Sequence, residues 1–256
     1  MKTEILYEDN SILVIRKPAG LAVQSAGIGQ ADVVSELKSY LAKLPGAERP
    51  GPGKGEPYLG IVHRLDQPVE GLLVFAKDKK AAAILSKQLT EGALNKHYYA
   101  VLCGYPDCPE GDLVDYLRKE GNMALAVTGR EQEFADAKIA VLHYRILEEI
   151  NDPSPLALAD VTIETGRFHQ IRVQFAHAGF PLFGDTKYGT AARKEAMPAQ
   201  KYRGVALCAY SLELVHPISG KKMGFRVVPK NPAFAGFAME ELKKLTENET
   251  GISKRG

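Results

Sequence analysis

Between Leu113 and Ile163 the chain offers a succession of strand-like runs, notably Ala124 to Thr128, Lys138 to Tyr144 and Ala157 to Ile163, broken by Gly, Asn and Pro. Runs that meander in this way suggest antiparallel pairing. Elsewhere helices and strands do not strictly alternate, so a doubly wound parallel sheet is disfavoured. The expected class is α+β, a mixed but mainly antiparallel sheet flanked by helices.

Other segments fill in that frame. Two short strands, Glu4 to Tyr7 and Ile12 to Arg16, are joined by the turn residues Asp9-Asn10-Ser11, and Lys17-Pro18-Ala19-Gly20 turns the chain again. Asp32 can cap a helix whose apolar positions Val33, Leu37, Tyr40, Leu41 and Leu44 follow the helical period up to Pro45. Residues 45 to 57 hold four prolines and four glycines and read as an exposed loop. Its Gly51-Pro52-Gly53-Lys54-Gly55 neither follows a convincing strand nor opens a helix, which excludes a phosphate-cradling reading. Leu72 to Ala76 reads as a buried strand. Asp78 caps a helix to about Leu89, Asn95 to Leu102 is another strand, and a last helix is expected near Ala233 to Leu245. The expected organisation is one domain over residues 1–245 and a polar tail, 246–256.

Bulk properties narrow the function classes. With 256 residues, 45% of them hydrophobic, the chain can bury a substantial core. Its net charge of +2 does not by itself indicate nucleic-acid binding. The distribution is more informative: from Glu164 to Arg203 seven bases face three acids, a basic region in a nearly neutral protein. Cys103, Cys108 and Cys208 are odd in number and lack C-x-x-C spacing, so neither a disulfide framework nor a zinc site is indicated. No apolar run approaches the roughly 18 residues a membrane span needs. The expectations are a cytoplasmic location, no metal and no membrane partner.

Two constellations carry chemistry. The first is His63-Arg64-Leu65-Asp66, directly before the apolar run Gly71-Leu72-Leu73-Val74-Phe75-Ala76. A carboxylate with a fixed cationic neighbour stays ionised and can act as a nucleophile or base. Taken alone, an Arg-Leu-Asp triplet is also an ordinary surface ion pair. The second is Glu164-Thr165-Gly166-Arg167-Phe168-His169-Gln170-Ile171-Arg172, a glycine turn after a strand that opens a short helix through Phe175 to Gly179. On such a helix Phe168, Arg172 and Phe175 share one side, while Arg167 stays near the N-terminus. That surface suits an anion or a carboxylate. Taken alone, it also reads as an amphipathic helix with solvated arginines.

Together these segments resemble the RluA-type family of RNA pseudouridine synthases, in the same order from about Ile5 to Lys230. The likeness rests on Arg16-Lys17-Pro18-Ala19-Gly20, on HRLD with Gly71 to Lys77, and on Thr165 to Arg172 continuing to Gly184-Asp185 and Tyr188-Gly189. Lys96-His97-Tyr98, and Leu207-Cys208-Ala209-Tyr210 before His216-Pro217, add to it. The resemblance implies the pseudouridine synthase fold and isomerisation of uridine in a structured rRNA or tRNA, with no cofactor and no metal. It casts Asp66 as the catalytic carboxylate, Arg172 as the arginine that pairs with it, and Tyr98 as a ring stacked on the target base or sugar. Arg64 would fill the gap left by a flipped uridine, and Leu207 would wall the pocket. His63, Arg167 and His169 complete the expected substrate-binding set. A monomer is the expected state. Lys17, Lys77, Lys187 and Arg193 are further candidates for phosphate contacts, and His63, His169 and His177 lack the carboxylate or cysteine spacing of a metal cluster.

Departures from the family pattern bear on target preference. Gln67-Pro68-Val69-Glu70 stands where many relatives carry a Lys-Asp-Thr-Ser-like stretch, and Phe168 replaces a common threonine or serine. The chain starts directly at its catalytic domain, so no S4 RNA-binding module is expected before it. A catalytically inactive RNA-binding domain of the same fold is the alternative reading. Glycoside hydrolysis, which needs two carboxylates flanking a sugar, ranks last because one carboxylate alone is placed by a motif.

Overall fold

The computed structural model describes residues 1–25, 27, 29–44, 56–127, 136–151, 154–189 and 204–238. The expected loop at 45–57 falls mostly outside that set, as do most of the last helix and the whole polar tail. Where the last helix was expected to begin, Pro232–Phe234 form a single 3-10 turn capped by Asn231.

In chain order the elements are β1 (Glu4–Glu8), β2 (Ile12–Lys17), α1 (Val33–Leu41), β3 (Gly60–Ile61), β4 (Glu70–Ala76), α2 (Lys79–Thr90), β5 (Asn95–Cys103), β6 (Glu110–Glu120), β7 (Met123–Val127), β8 (Lys138–Ile150), β9 (Leu156–Ile163), α3 (Gln170–His177), β10 (Leu207–Val215) and β11 (Lys222–Arg226). The pairs β1–β2, β2–β4, β3–β4, β5–β9, β6–β7, β6–β8, β8–β9 and β10–β11 are antiparallel. The α+β expectation is therefore met, with the meander of 113–163 running as β6, β7, β8 and β9. Two compact units emerge: one from Met1–Asn95 with Ser211–Val227, the other from Lys96–Tyr210 with Val228–Gly256.

In the first unit β2 and β4 are buried along their whole length, as their continuous apolar runs require of strands covered on both faces. They pair from Ile12↔Ala76 to Lys17↔Gly71, so Arg16 and Lys17 end one strand beside the start of the other. Each helix begins at an aspartate. Asp32 accepts the Ser35 N–H at 2.7 Å and the Ser25 N–H at 2.8 Å, and Asp78 accepts the Ala81 N–H at 2.8 Å. Gln88 ties α2 to β10 through two bonds with the Val215 backbone, at 2.7 and 2.9 Å.

In the second unit the strands lie in the order β10-β5-β9-β8-β6-β7. Tyr98 faces Val161, Val161 faces Tyr144, and Tyr144 faces Gly111 across successive strands. Directly opposed residues share a sheet face, so these four define one side. On that side α3 packs, with Val173 against Leu117, Ala124 and Ala140 and the Phe175 ring edge-on to Tyr144 at 5.6 Å.

Candidate active site

In the first unit the HRLD segment leads from β3 into β4. His63 is buried, and its Nε2 accepts the Val74 N–H at 3.3 Å, which keys the ring to β4 and requires that nitrogen to be unprotonated. Arg64 is exposed, Leu65 is buried and Asp66 is half-buried. The Asp66 carbonyl accepts the Val69 N–H at 3.1 Å and closes a turn. That turn is stitched to Lys17-Pro18-Ala19-Gly20, fifty residues upstream: Gln67 O accepts the Gly20 N–H at 2.8 Å and Lys17 Nζ at 3.1 Å, and Gln67 Nε2 donates to Gly20 O at 3.1 Å. Gly20 takes φ +85°, a conformation in which a Cβ would be strained.

Lys17 overturns one expectation. It is completely buried, and its ammonium donates to the carbonyls of Pro18 (3.0 Å), Leu21 (2.7 Å) and Gln67 (3.1 Å), so it does not reach a phosphate. Lys77 is likewise engaged inside the unit, with Glu8 at 2.7 Å and Asp9 O at 2.6 Å.

In the second unit α3 starts at Gln170, later than its sequence pattern suggested. Phe168 therefore lies before the helix, is 37% exposed and stacks on His169 at 3.7 Å; it does not share a helical face with Arg172. The delay comes from Gln170 itself, whose Oε1 accepts from Thr165 Oγ1 (2.8 Å) and the Arg167 N–H (2.9 Å) while its Nε2 donates to Val141 O (3.0 Å). His169 turns the chain at φ +55°, uncommon for a residue with a Cβ, and its Nδ1 lies 2.6 Å from the Tyr188 hydroxyl. Arg167 Nε donates to Ile139 O at 2.8 Å.

Arg172 is not a solvated arginine. It is 4% exposed and held by Asp185 through Nε–Oδ2 at 2.7 Å and Nη2–Oδ1 at 2.9 Å, a two-pronged pair that fixes the guanidinium plane. The Tyr188 ring lies 5.1 Å from the same guanidinium. Asp185 also accepts the Lys187 and Tyr188 N–H groups. The turn before it depends on Gly184, at φ +78°, where a Cβ would run into Gly204 O.

Tyr98 is 5% exposed and lies on the α3 side of the sheet. Its neighbours His97 and Tyr99 point the other way, where Tyr99 stacks flat on Tyr210 at 3.7 Å. Burial, with Asp160 and Tyr99 beside it, pushes the Tyr210 hydroxyl well above the usual tyrosine range. Leu207, three residues before Tyr210, falls on the opposite face from it and so on the face of Tyr98. The second unit thus brings Tyr98, Leu207 and Arg172 to one side of its sheet.

A family model described as RNA pseudouridylate synthase matches residues 11–177. The chain belongs to that family. Among relatives of this RluA type, the protein named ribosomal large subunit pseudouridine synthase D from Zymomonas mobilis is 34% identical over 232 residues, covering 87% of this chain and 68% of the relative. Its namesake from Pseudomonas aeruginosa is 36% identical over 232 residues, covering 87% and 67%. An uncharacterized RNA pseudouridine synthase from Synechocystis is 36% identical over 231 residues, covering 85% and 63%. The chain therefore spans about two thirds of the length of these relatives. Two solved human structures share the fold: RNA pseudouridylate synthase domain containing 1, with a TM-score of 0.71 over 99% of this chain and 97% of the other at 18% identity, and domain containing 4, with 0.66 over 89% of each at 24% identity. As a member of this family of isomerases the chain is an RNA pseudouridine synthase.

Three residues around the family's motifs escaped a role in the sequence. Asp185 and Tyr188 were visible as parts of a motif, but nothing in their spacing says that one would clamp Arg172 and the other would lie against its guanidinium. Glu70, read as a mere departure, is 3% exposed and 3.5 Å from Arg16 Nη2. His177 pairs with Asp115 at 2.7 Å, and among the described residues no group of His, Cys, Asp and Glu could hold a metal ion. No described helix is long and apolar enough to cross a membrane. Lys187 Nζ donates to Asn122 O at 2.6 Å, while Arg193 lies outside the described residues.

Proposed function

We propose that this chain isomerises a uridine of a structured RNA, with large-subunit ribosomal RNA the first substrate to test, and that Asp66 is the carboxylate that reacts. The observation that carries the reading is the setting of Asp66: half-buried, on a turn fastened through Gln67 to Lys17 and Gly20. A carboxylate on a turn held this firmly keeps its direction, which a group meeting one carbon of a bound nucleotide needs. The choice of RNA follows the relatives from Zymomonas mobilis and Pseudomonas aeruginosa, both named ribosomal large subunit pseudouridine synthase D.

The uracil must leave C1′ of its ribose, rotate while held, and reattach through C5. Asp66 serves either as nucleophile or as a base on the sugar; both need it ionised. A stacked uridine hides its glycosidic bond, so the target flips out, at a cost of a few kcal/mol that is least in loops and bulges. Arg64, exposed beside Asp66, fills the vacated place. Tyr98 stacks on the target, Leu207 walls the pocket, and Arg172, its plane already set by Asp185, supplies the charge that favours the ionised carboxylate. Arg167 and His169 contact the RNA, and His63 supports the segment through β4.

Asp66→Asn tests the reading. The variant should bind RNA with near-normal affinity and form no pseudouridine, assayed by site mapping on ribosomal RNA from cells that lack the native protein. Pseudouridine at the wild-type level in that variant would end the assignment. Arg172→Ala should also lose single-turnover activity, and a normal rate would remove its role.

A further inference from the structure

Just ahead of α3 the second unit presents an aromatic ring with a cation over it. Phe168 is 37% exposed, its ring stacks on His169 at 3.7 Å and 23°, and Lys119 Nζ lies over the ring, 5.1 Å from its centre. Neighbouring side chains diverge along a strand or a helix, so two consecutive rings come face to face where the backbone turns. Here it turns at His169, with φ +55°. A left-handed residue that carries a Cβ has to be held there by its surroundings, and such positions gather at ligand sites.

The holding contacts lie deeper in the unit. His169 Nδ1 is 2.6 Å from the Tyr188 hydroxyl, which accepts the Ala124 N–H at 2.8 Å, and the Tyr188 ring lies against the guanidinium that Asp185 clamps. Phe168 is thus an exposed ring on a fixed mount. Lys119 is the reverse, a flexible side chain exposed near the end of β6, with no carboxylate partner among the described residues. Its neighbour Glu120 is turned to Arg118 at 3.5 Å. Lys119 lies on the α3 side of the sheet with Leu117, and exposed Lys138, opposite Leu117, brings a second positive charge to that side.

Magnitudes decide what the ring prefers. An exposed cation over an aromatic ring contributes roughly two- to fivefold in an equilibrium constant. A nucleobase stacked on such a ring contributes roughly five- to a hundredfold. A base therefore displaces the ammonium, and the displaced lysine, on its four-carbon stem, is free to take a phosphate. We propose that Phe168 is a stacking platform for a second unpaired base of the RNA, distinct from the uridine that reacts, and that Lys119 exchanges the ring for a phosphate beside that base. Paired bases offer no free face, so the platform selects single-stranded RNA. The inference deepens the function proposed above, and its test does not depend on turnover.

The probe is a labelled oligoadenylate decamer, which has no uridine to isomerise, titrated against the full chain by fluorescence anisotropy beside an abasic RNA decamer of equal charge. Phe168→Ala and Phe168→Leu should each weaken oligoadenylate binding at least about fivefold, and Phe168→Tyr should stay within about twofold of wild type. On the abasic decamer all of these should bind alike. Lys119→Met should lower the slope of log affinity against log salt by about 0.7, the share of one single-strand phosphate. A folded Phe168→Leu variant that binds oligoadenylate like wild type overturns the platform, as does an equal loss on the abasic decamer. An unchanged slope in Lys119→Met overturns the exchange. Wild-type levels of pseudouridine in Asp66→Asn, with oligoadenylate binding still dependent on Phe168, remove the function given to Asp66 and leave the platform standing.

Discussion

At the scale of single residues, burial decides what the charged groups can do. Arg172 and Asp185 are both nearly inaccessible, so removing one partner leaves the other charged and uncompensated. Asp185→Asn should cost about 3–5 kcal/mol, read from denaturant unfolding, whereas exposed Lys87 and Glu91 should contribute almost nothing when either is replaced. Gly184→Ala should destabilise by at least about 1–3 kcal/mol, because a Cβ there meets both a left-handed backbone and the Gly204 carbonyl. The residues proposed for the site were legible by type: HRLD singled out Asp66, and the arginine-containing motif singled out Arg172. Their settings were not. Arg172 could be read as a solvated helical arginine because a partner thirteen positions downstream, reached through a glycine turn, leaves no periodic trace in the sequence.

At the scale of elements, caps and apolar patterns carried most of the information. Asp32 and Asp78 were identified as helix starts, and each accepts the backbone N–H three residues on. Asp78→Ala should lower stability by about 1 kcal/mol. Asp32→Ala should cost more, because Asp32 also accepts the Ser25 N–H, and thermal melts of the two variants side by side should rank them in that order. Here α3 is the instructive exception. Its sequence pattern starts at Arg167, yet the Gln170 side chain takes up the Arg167 N–H and ties the segment to β8, so the helix begins at Gln170 and Phe168 is left outside it. A side chain that competes for backbone donors overrides a periodic pattern, and no count of apolar positions registers it.

At the scale of the whole molecule, the buried titratable groups set opposite dependences on pH. Asp9 is half-buried and burial raises its pKa, but bonds from the Ile12 and Ser11 N–H groups, His216 and Tyr7 outweigh this and hold it below the usual carboxylate range. Asp32 and Glu36 are lowered in the same net sense. Groups depressed in the folded state give stability that is present above their unfolded pKa and lost as pH falls through the folded one, so unfolding should become easier below about pH 4. Asp9→Asn should soften that acid limb. Lys17 acts at the other end. Below about 7 it is charged folded or unfolded and the burial penalty is felt in full; above about 7 the folded chain sheds the proton first, so stability rises with pH toward the usual lysine range. Denaturant unfolding of the wild type between pH 6 and 9 should show that rise, and Lys17→Met should flatten it. By itself the sequence determined the α+β class and most strand and helix positions, and it singled out the carboxylate proposed to react, because these follow from local periodicity, capping chemistry and motif. Only the tertiary structure decided which charges are buried and what holds them, Lys17 by three carbonyls and Arg172 by Asp185, because desolvation and hydrogen-bond partners depend on segments far apart in the chain.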